Sequence, residues 1–156
     1  MIYSENDLYK AFTLFEQGFD FYDVTNYFKK NNASIFDKQK IELIIDAVLC
    51  HYQITEKEFM SRSRLRYLVN ARGIFYYLSR NLTKNSTIFI GRRVNRDHAT
   101  VLNGYRVIKD LLHLNLDNIK EDIDSITNIL NTYIEAKNEE KNHIIKEVCT
   151  VKSLTF

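Results

Sequence analysis

Residues 90–104 read Ile90-Gly91-Arg92-Arg93-Val94-Asn95-Arg96-Asp97-His98-Ala99-Thr100-Val101-Leu102-Asn103-Gly104, and this run decides the fold. A short apolar helix is expected to end near Arg93, a tight turn follows, and a second helix opens at Asp97. Aspartate suits that position because its carboxylate accepts the unpaired backbone N–H groups of a first helical turn. The first turn then carries Asp97, His98, Ala99 and Thr100, all short polar or methyl-bearing side chains behind a cluster of arginines. A recognition helix of a helix-turn-helix has this pattern: residues at its N-terminus reach base edges while neighbouring cations hold phosphates.

The chemistry of these side chains fits a major groove. Asp97 can accept from cytosine N4, or serve as N-cap, or do both. His98 can donate to an acceptor edge or pack on a thymine methyl. Ala99 and the Thr100 methyl suit thymine, and Asn103, one turn on, can bridge adenine N6 and N7. Charge supports a polyanionic partner. Between Met60 and Asp110 there are eleven Lys and Arg against two acids, a net of +9, which leaves −7 for the rest of a chain whose total is only +2. A solvated helix face normally mixes signs, so this segregation points to a basic face.

Upstream, Ser86 is expected to cap the helix holding Ile88, Phe89 and Ile90. Most of Ser61–Asn81 has helical periodicity, with Leu65, Leu68, Val69, Phe75 and Leu78 as its core side. Thr55-Glu56-Lys57-Glu58 is a capping box before Phe59, and Asp37 is a suitable cap for a helix burying Ile41, Ile44, Ile45, Val48 and Leu49. The recognition helix is expected to run to about Leu112, anchored by Val101, Leu102, Ile108 and Leu111. Near the N-terminus, Ser4 can cap a helix carrying Leu8, Phe12, Phe15 and Phe19, and a second helix from about Asp20 would complete an aromatic-rich hairpin. Near the C-terminus, Asp117 is placed to cap a long helix. Ile119, Ile123, Ile126, Leu130 and Tyr133 form a heptad seam there, which packs on the domain or pairs two copies, and breaks at 137–141.

These 156 residues contain no proline and four glycines, and apolar residues recur every three or four positions almost throughout, so the fold class is all-α. Three segments follow: residues 1–36, an aromatic hairpin; 37–114, the DNA-binding domain; and 115–156, a helical extension. No apolar run is long enough to span a bilayer and no signal peptide is apparent. Cys50 and Cys149, each in apolar helical surroundings, suggest a reducing compartment and buried packing. Cys50-His51 and His143 with Cys149 lack the spacing of a four-ligand metal site. No cofactor or metal is expected. No nucleophile with supporting groups surrounds Asp97, His98 and Thr100, and no G-x-x-x-x-G-K-[ST] run occurs, so neither an enzyme nor an ATP-driven motor is expected within this sequence.

Arg64-x-Arg66, Ala71-Arg72, Leu78, Leu82-Thr83, Ser86, Ile90-Gly91 and Arg96-Asp97-His98-x-Thr100-Val101 follow one another in this order. Together, from about Ile41 to Leu112, they resemble the C-terminal DNA-binding domain of the bacterial chromosomal replication initiator DnaA. The resemblance implies a helix-turn-helix that binds short duplex sites, the DnaA boxes. It implies that Arg72 enters the minor groove, that Asp97, His98, Ala99 and Thr100 read the major groove, that Arg80 contacts a phosphate, and that Ser86 caps a helix approaching the backbone. Arg64, Arg66, Arg92, Arg93 and Arg96 complete the expected phosphate-binding set. Three departures stand out. Val94-Asn95 replaces the usual pair of glycines, in a turn one residue shorter, which Asn95 can close in a left-handed conformation. Ala99 stands where the family has Thr, and Asn103 where His is common.

The expected function is sequence-specific binding of double-stranded DNA in replication initiation or its regulation, without an ATPase of its own. A transcription regulator on the same fold, or a protein–protein adaptor with vestigial DNA contact, are the alternatives. Expected partners are a DnaA-box-like duplex, a second copy through the C-terminal helix, and a replication protein, with no membrane. The expected setting is the bacterial cytoplasm or nucleoid, with either a cellular or a phage origin.

Overall fold

The computed structural model describes residues 5–18, 20, 33–116 and 118–154. Its elements are seven helices: α1 (Glu5–Glu16), α2 (Ala33–Tyr52), α3 (Glu56–Met60), α4 (Arg66–Leu82), α5 (Thr87–Arg93), α6 (His98–His113) and α7 (Ile119–Leu154). No strand occurs among the described residues. The chain falls into two compact units. One comprises Ser34–Thr132, the other Met1–Ala33 with Tyr133–Phe156.

The larger unit is built around one apolar core. α2 contributes Ile41, Ile44, Ile45, Ala47 and Val48; α3 contributes Phe59; α4 contributes Leu68, Ala71, Ile74, Phe75 and Leu78; α5 and α6 contribute Ile90, Val101 and Ile108. Phe59 and Phe75 meet edge to face at 5.7 Å, an arrangement favoured by the ring quadrupoles. α4 and α6 cross where each carries a glycine. A Cβ on Gly104 would lie 3.8 Å from the Gly73 Cα and 2.5 Å from a Tyr76 ring carbon, and one on Gly73 would lie 2.8 Å from Ile108. Bare backbone at both positions lets α6 seat closely on α4.

Three helices of this unit end in the same way. Gln53, Asn95 and Asn115 have φ of 52°, 54° and 52°. The amide after each donates to the carbonyl five residues back: Ile54 to Leu49 at 3.2 Å, Arg96 to Gly91 at 2.8 Å, and Leu116 to Leu111 at 3.0 Å. These are Schellman closures, in which the left-handed residue is usually glycine. A glycine-poor chain here uses Asn and Gln instead.

Several expected details are corrected. α2 starts at Ala33 rather than at Asp37. α4 starts at Arg66, not near Ser61, and residues 62–65 are non-helical. Leu65 therefore precedes the helix and is exposed; Val69 is exposed as well, and Ala71 and Ile74 share the core face with Leu68, Phe75 and Leu78. Cys50 is exposed rather than packed. Ile119, Ile126 and Leu130 of α7 are buried, in keeping with the alternative in which the seam packs on the domain, while Ile123 and Tyr133 are half-buried. The start of α7 is tied to the end of α2 by Asp122, which lies 2.9 Å from His51 Nε2 and accepts from the Tyr52 hydroxyl at 2.9 Å. Burial, then Asp122, pushes the Tyr52 phenol well above its ordinary range.

In the smaller unit, α7 continues as helix through 137–141, where the apolar seam is expected to end. Ion pairs Lys137–Glu140 (3.9 Å) and His143–Glu147 (3.4 Å) have helical spacing there. The cap expected at Ser4, the helix expected from Asp20 and the cap at Asp117 lie outside the described residues, as does the side chain of Cys149. No described helix is long and apolar enough to cross a membrane.

Candidate nucleic-acid interface

The centre of the site is the α5–turn–α6 unit. Ser86 caps α5 by accepting from the Phe89 amide at 3.2 Å. After Arg93 the chain turns through Val94, which is buried, and Asn95 in its left-handed conformation. Gly91 has no alternative at this turn, since a Cβ there would overlap the Arg96 carbonyl. Asp97 then caps α6, its carboxylate accepting from the Thr100 amide at 2.6 Å. That bond holds the Asp97 carboxyl below its ordinary range. Asp97, His98, Ala99, Thr100 and Asn103 are all exposed. The structure thus places all five on the outside of the first turns of α6, with Val101 and Ile108 directed into the core.

The expected cations divide by what they touch. Arg72 is not on the surface: it is 8 % exposed. Its guanidinium donates to the backbone carbonyls of Phe59 (2.7 Å), Ser63 (2.7 Å), Ser61 (2.8 Å) and Glu58 (3.3 Å). Its donors are thus engaged inside the chain, whereas the resemblance implies that Arg72 enters the minor groove. Burial, and then the nearby Arg96, lower its pKa from the usual value for arginine. Arg96 is half-buried and also turned toward the chain, donating to the carbonyls of Ser61 (2.5 Å), Asn95 (3.0 Å) and Met60 (3.4 Å). Arg93 is held by Glu42 through two hydrogen bonds and by Glu56 at 3.1 Å, which ties α5 to α2 and α3. These carboxylates raise its pKa and neutralise it, so neither Arg93 nor Arg96 stands ready for a phosphate.

Arg64, Arg66 and Arg92 are exposed, and Arg80 is half-buried with its guanidinium 4.2 Å from the centre of the Tyr105 ring. Arg62, which sequence reasoning passed over as a site residue, is exposed on the same non-helical segment as Arg64. Between and beside them, Ser61 and Ser63 are half-buried. Their carbonyls face Arg72 and Arg96, and their hydroxyls organise the backbone, accepting from the amides of Ser63 (3.3 Å) and Leu65 (3.4 Å). Segment 61–65 is therefore an arm pinned by its carbonyls, with arginines on its outer side. Because Arg96 directly precedes the cap of α6, the arm is fixed within one arginine side chain of the recognition helix. No group of three or more His, Cys, Asp or Glu that could hold a metal occurs among the described residues.

The bacterial dnaA protein helix-turn-helix family matches residues 41–108, from the core face of α2 to the last buried residue of α6. Residues 41–108 are thus similar to a DnaA-type helix-turn-helix domain. Relatives named chromosomal replication initiator protein DnaA agree. That of Rhizobium meliloti (strain 1021) is 42 % identical over 82 residues, 52 % of this chain and 17 % of the relative. That of Streptococcus agalactiae serotype Ia is 37 % identical over 101 residues, 64 % and 22 % respectively. That of Bartonella quintana is 42 % identical over 74 residues, 47 % and 15 %. The chain thus spans about a fifth of the length of these relatives. The match ends within α6, and the first part of α7 packs in the same compact unit beyond it.

Proposed function

We propose that this chain binds double-stranded DNA with sequence preference, in replication initiation or its regulation. The observation that carries the reading is the exposed, capped first turn of α6 in a DnaA-type helix-turn-helix. In this reading Asp97, His98, Ala99, Thr100 and Asn103 face base edges in the major groove. Ala99 supplies only a methyl, and Asn103 brings an amide suited to adenine, so the preferred site reflects both. The pinned arm carries Arg62 and Arg64 into the adjacent minor groove, as short basic arms do beside other recognition helices. That assignment gives the arm the task expected of Arg72. Arg66, Arg80, Arg92 and the Ser86 end of α5 contact phosphates, which position the protein without reading sequence. The replication setting is supported by the names of the relatives.

Selection from a random duplex library, with sequencing of the bound fraction, tests this directly. A strong preference should emerge for the parent protein. Thr100→Ala should relax it at one position and weaken the preferred site by roughly 1–3 kcal/mol. Arg64→Ala should relax a separate, A·T-sensitive position flanking the first. Binding that is blind to sequence in the parent would refute the reading.

A further inference from the structure

Arg80 is held differently from the other arginines whose partners are described. Arg72 and Arg93 use their N–H edges on carbonyls and carboxylates. Arg80 instead has its guanidinium carbon over the Tyr105 ring, 4.2 Å from the centroid. Tyr105 is in turn stacked on Tyr77, centroids 5.6 Å apart and planes 21° apart, and its hydroxyl donates to Asn81 Oδ1 at 3.3 Å. The ladder joins the C-terminal turn of α4 to the middle of α6.

A guanidinium held over a ring keeps N–H donors available, and these match the oxygens of a phosphate. Position on α6 gives the ladder its meaning. Tyr105 is seven residues after His98, close to two helical turns, so the two lie on nearly the same side of the helix and about 10 Å apart along it. A cation fixed there flanks the body of the recognition helix while the first turn reads bases. We infer that Tyr105, backed by Tyr77, is a positioning residue that holds Arg80 as a preformed phosphate clamp. The inference rests on the DNA-binding reading above.

The test is a set of variants of the full chain measured on preferred and random duplexes across a salt series. Arg80→Ala should weaken all duplexes alike and lower the magnitude of the log–log salt slope by about one. Tyr105→Leu, which retains apolar bulk, should weaken binding roughly three- to tenfold without altering base preference. Tyr105→Phe keeps the ring and should bind nearly as the parent does. In an Arg80→Ala background, Tyr105→Leu should cost nothing further. Melting curves accompany each variant, and Tyr77→Leu repeats the comparison from the other side of the stack should Tyr105→Leu not fold. If Tyr105→Leu costs as much without Arg80 as with it, the clamp inference is overturned while the DNA-binding reading stands. A folded parent that binds no duplex overturns both.

Discussion

Replacing Arg72 by methionine separates a buried structural arginine from a base-reading one. Methionine keeps the apolar stem and most of the volume but removes every N–H donor. Four backbone carbonyls, those of Glu58, Phe59, Ser61 and Ser63, then lose the guanidinium. Each bond from a charged donor is worth roughly 1.5–3 kcal/mol. Part of that sum is offset, because the variant no longer buries a charge and because carbonyls on the arm can take up water. A net loss of about 2–4 kcal/mol is expected. For a unit of this size that lowers Tm by on the order of 10–20 °C. The assay is thermal and urea unfolding of the full chain, followed by duplex selection at a temperature where the variant is folded. Binding should weaken through loss of the arm's fixed position, with the preference set by α6 retained. A variant that melts with the parent yet loses discrimination at one base pair would show that Arg72 reads DNA, and would refute the reasoning.

Arg92→Ala should lower the magnitude of the salt slope by about one, whereas Arg93→Ala should leave it unchanged and cost roughly 0.5–1 kcal/mol of stability, because Arg93 is committed to Glu42 and Glu56. Gly91→Ala should lose about 2 kcal/mol or more in denaturant unfolding, since its methyl collides with the Arg96 carbonyl rather than with a movable side chain. Asp97 has a folded-state pKa below its ordinary value, so its cap is fully effective above about pH 4 and is lost as pH falls through the folded value. Asp97→Asn should remove that part of the acid dependence of unfolding, and an unchanged acid limb would show that the carboxylate cap contributes nothing.

Local signals were legible because their physics is local. Thr55, Ser86 and Asp97 cap the helices that follow them, each accepting from an amide three residues on. Asn95 closes the turn left without glycines, as its tolerance of positive φ allows. Apolar spacing identified Ile41, Ile44, Ile45 and Val48 as a core face. The start of α4 was less legible. Leu65 occupies its N-cap with no side-chain bond, so the sequence carries no cap signal there. A helix extended back to Ser61 takes in Leu65, which in fact precedes α4 and is exposed, as is Val69. Arg72 was missed for a deeper reason. Its partners are carbonyls 9 to 14 residues away, and backbone carbonyls carry no residue identity. An arginine amid basic residues looks the same in sequence whether it faces solvent or a ring of carbonyls. The Tyr77–Tyr105–Arg80 ladder was hidden likewise, since only the crossing of α4 and α6 brings its members together.

The arrangement around Ser61 has a consequence for how binding begins. Arg72 and Arg96 both donate to the Ser61 carbonyl, at 2.8 and 2.5 Å, so two cations converge on one peptide group. Like charges that close repel, which adds to burial in lowering the pKa of Arg72. The carbonyls of Glu58, Phe59, Met60, Ser63 and Asn95 supply the compensating dipoles. In return, the arm is ordered against both α4 and the start of α6 before any DNA is present. Ordering five residues only upon binding would cost roughly 1–2 kcal/mol for each backbone unit fixed. An arm already held by its carbonyls avoids most of that cost, and its arginines meet the duplex in a fixed relation to the first turn of α6. In the proposed reading Arg72 and Arg96 act on affinity without touching DNA, and their removal is expected to be felt first at the base pairs assigned there to the arm.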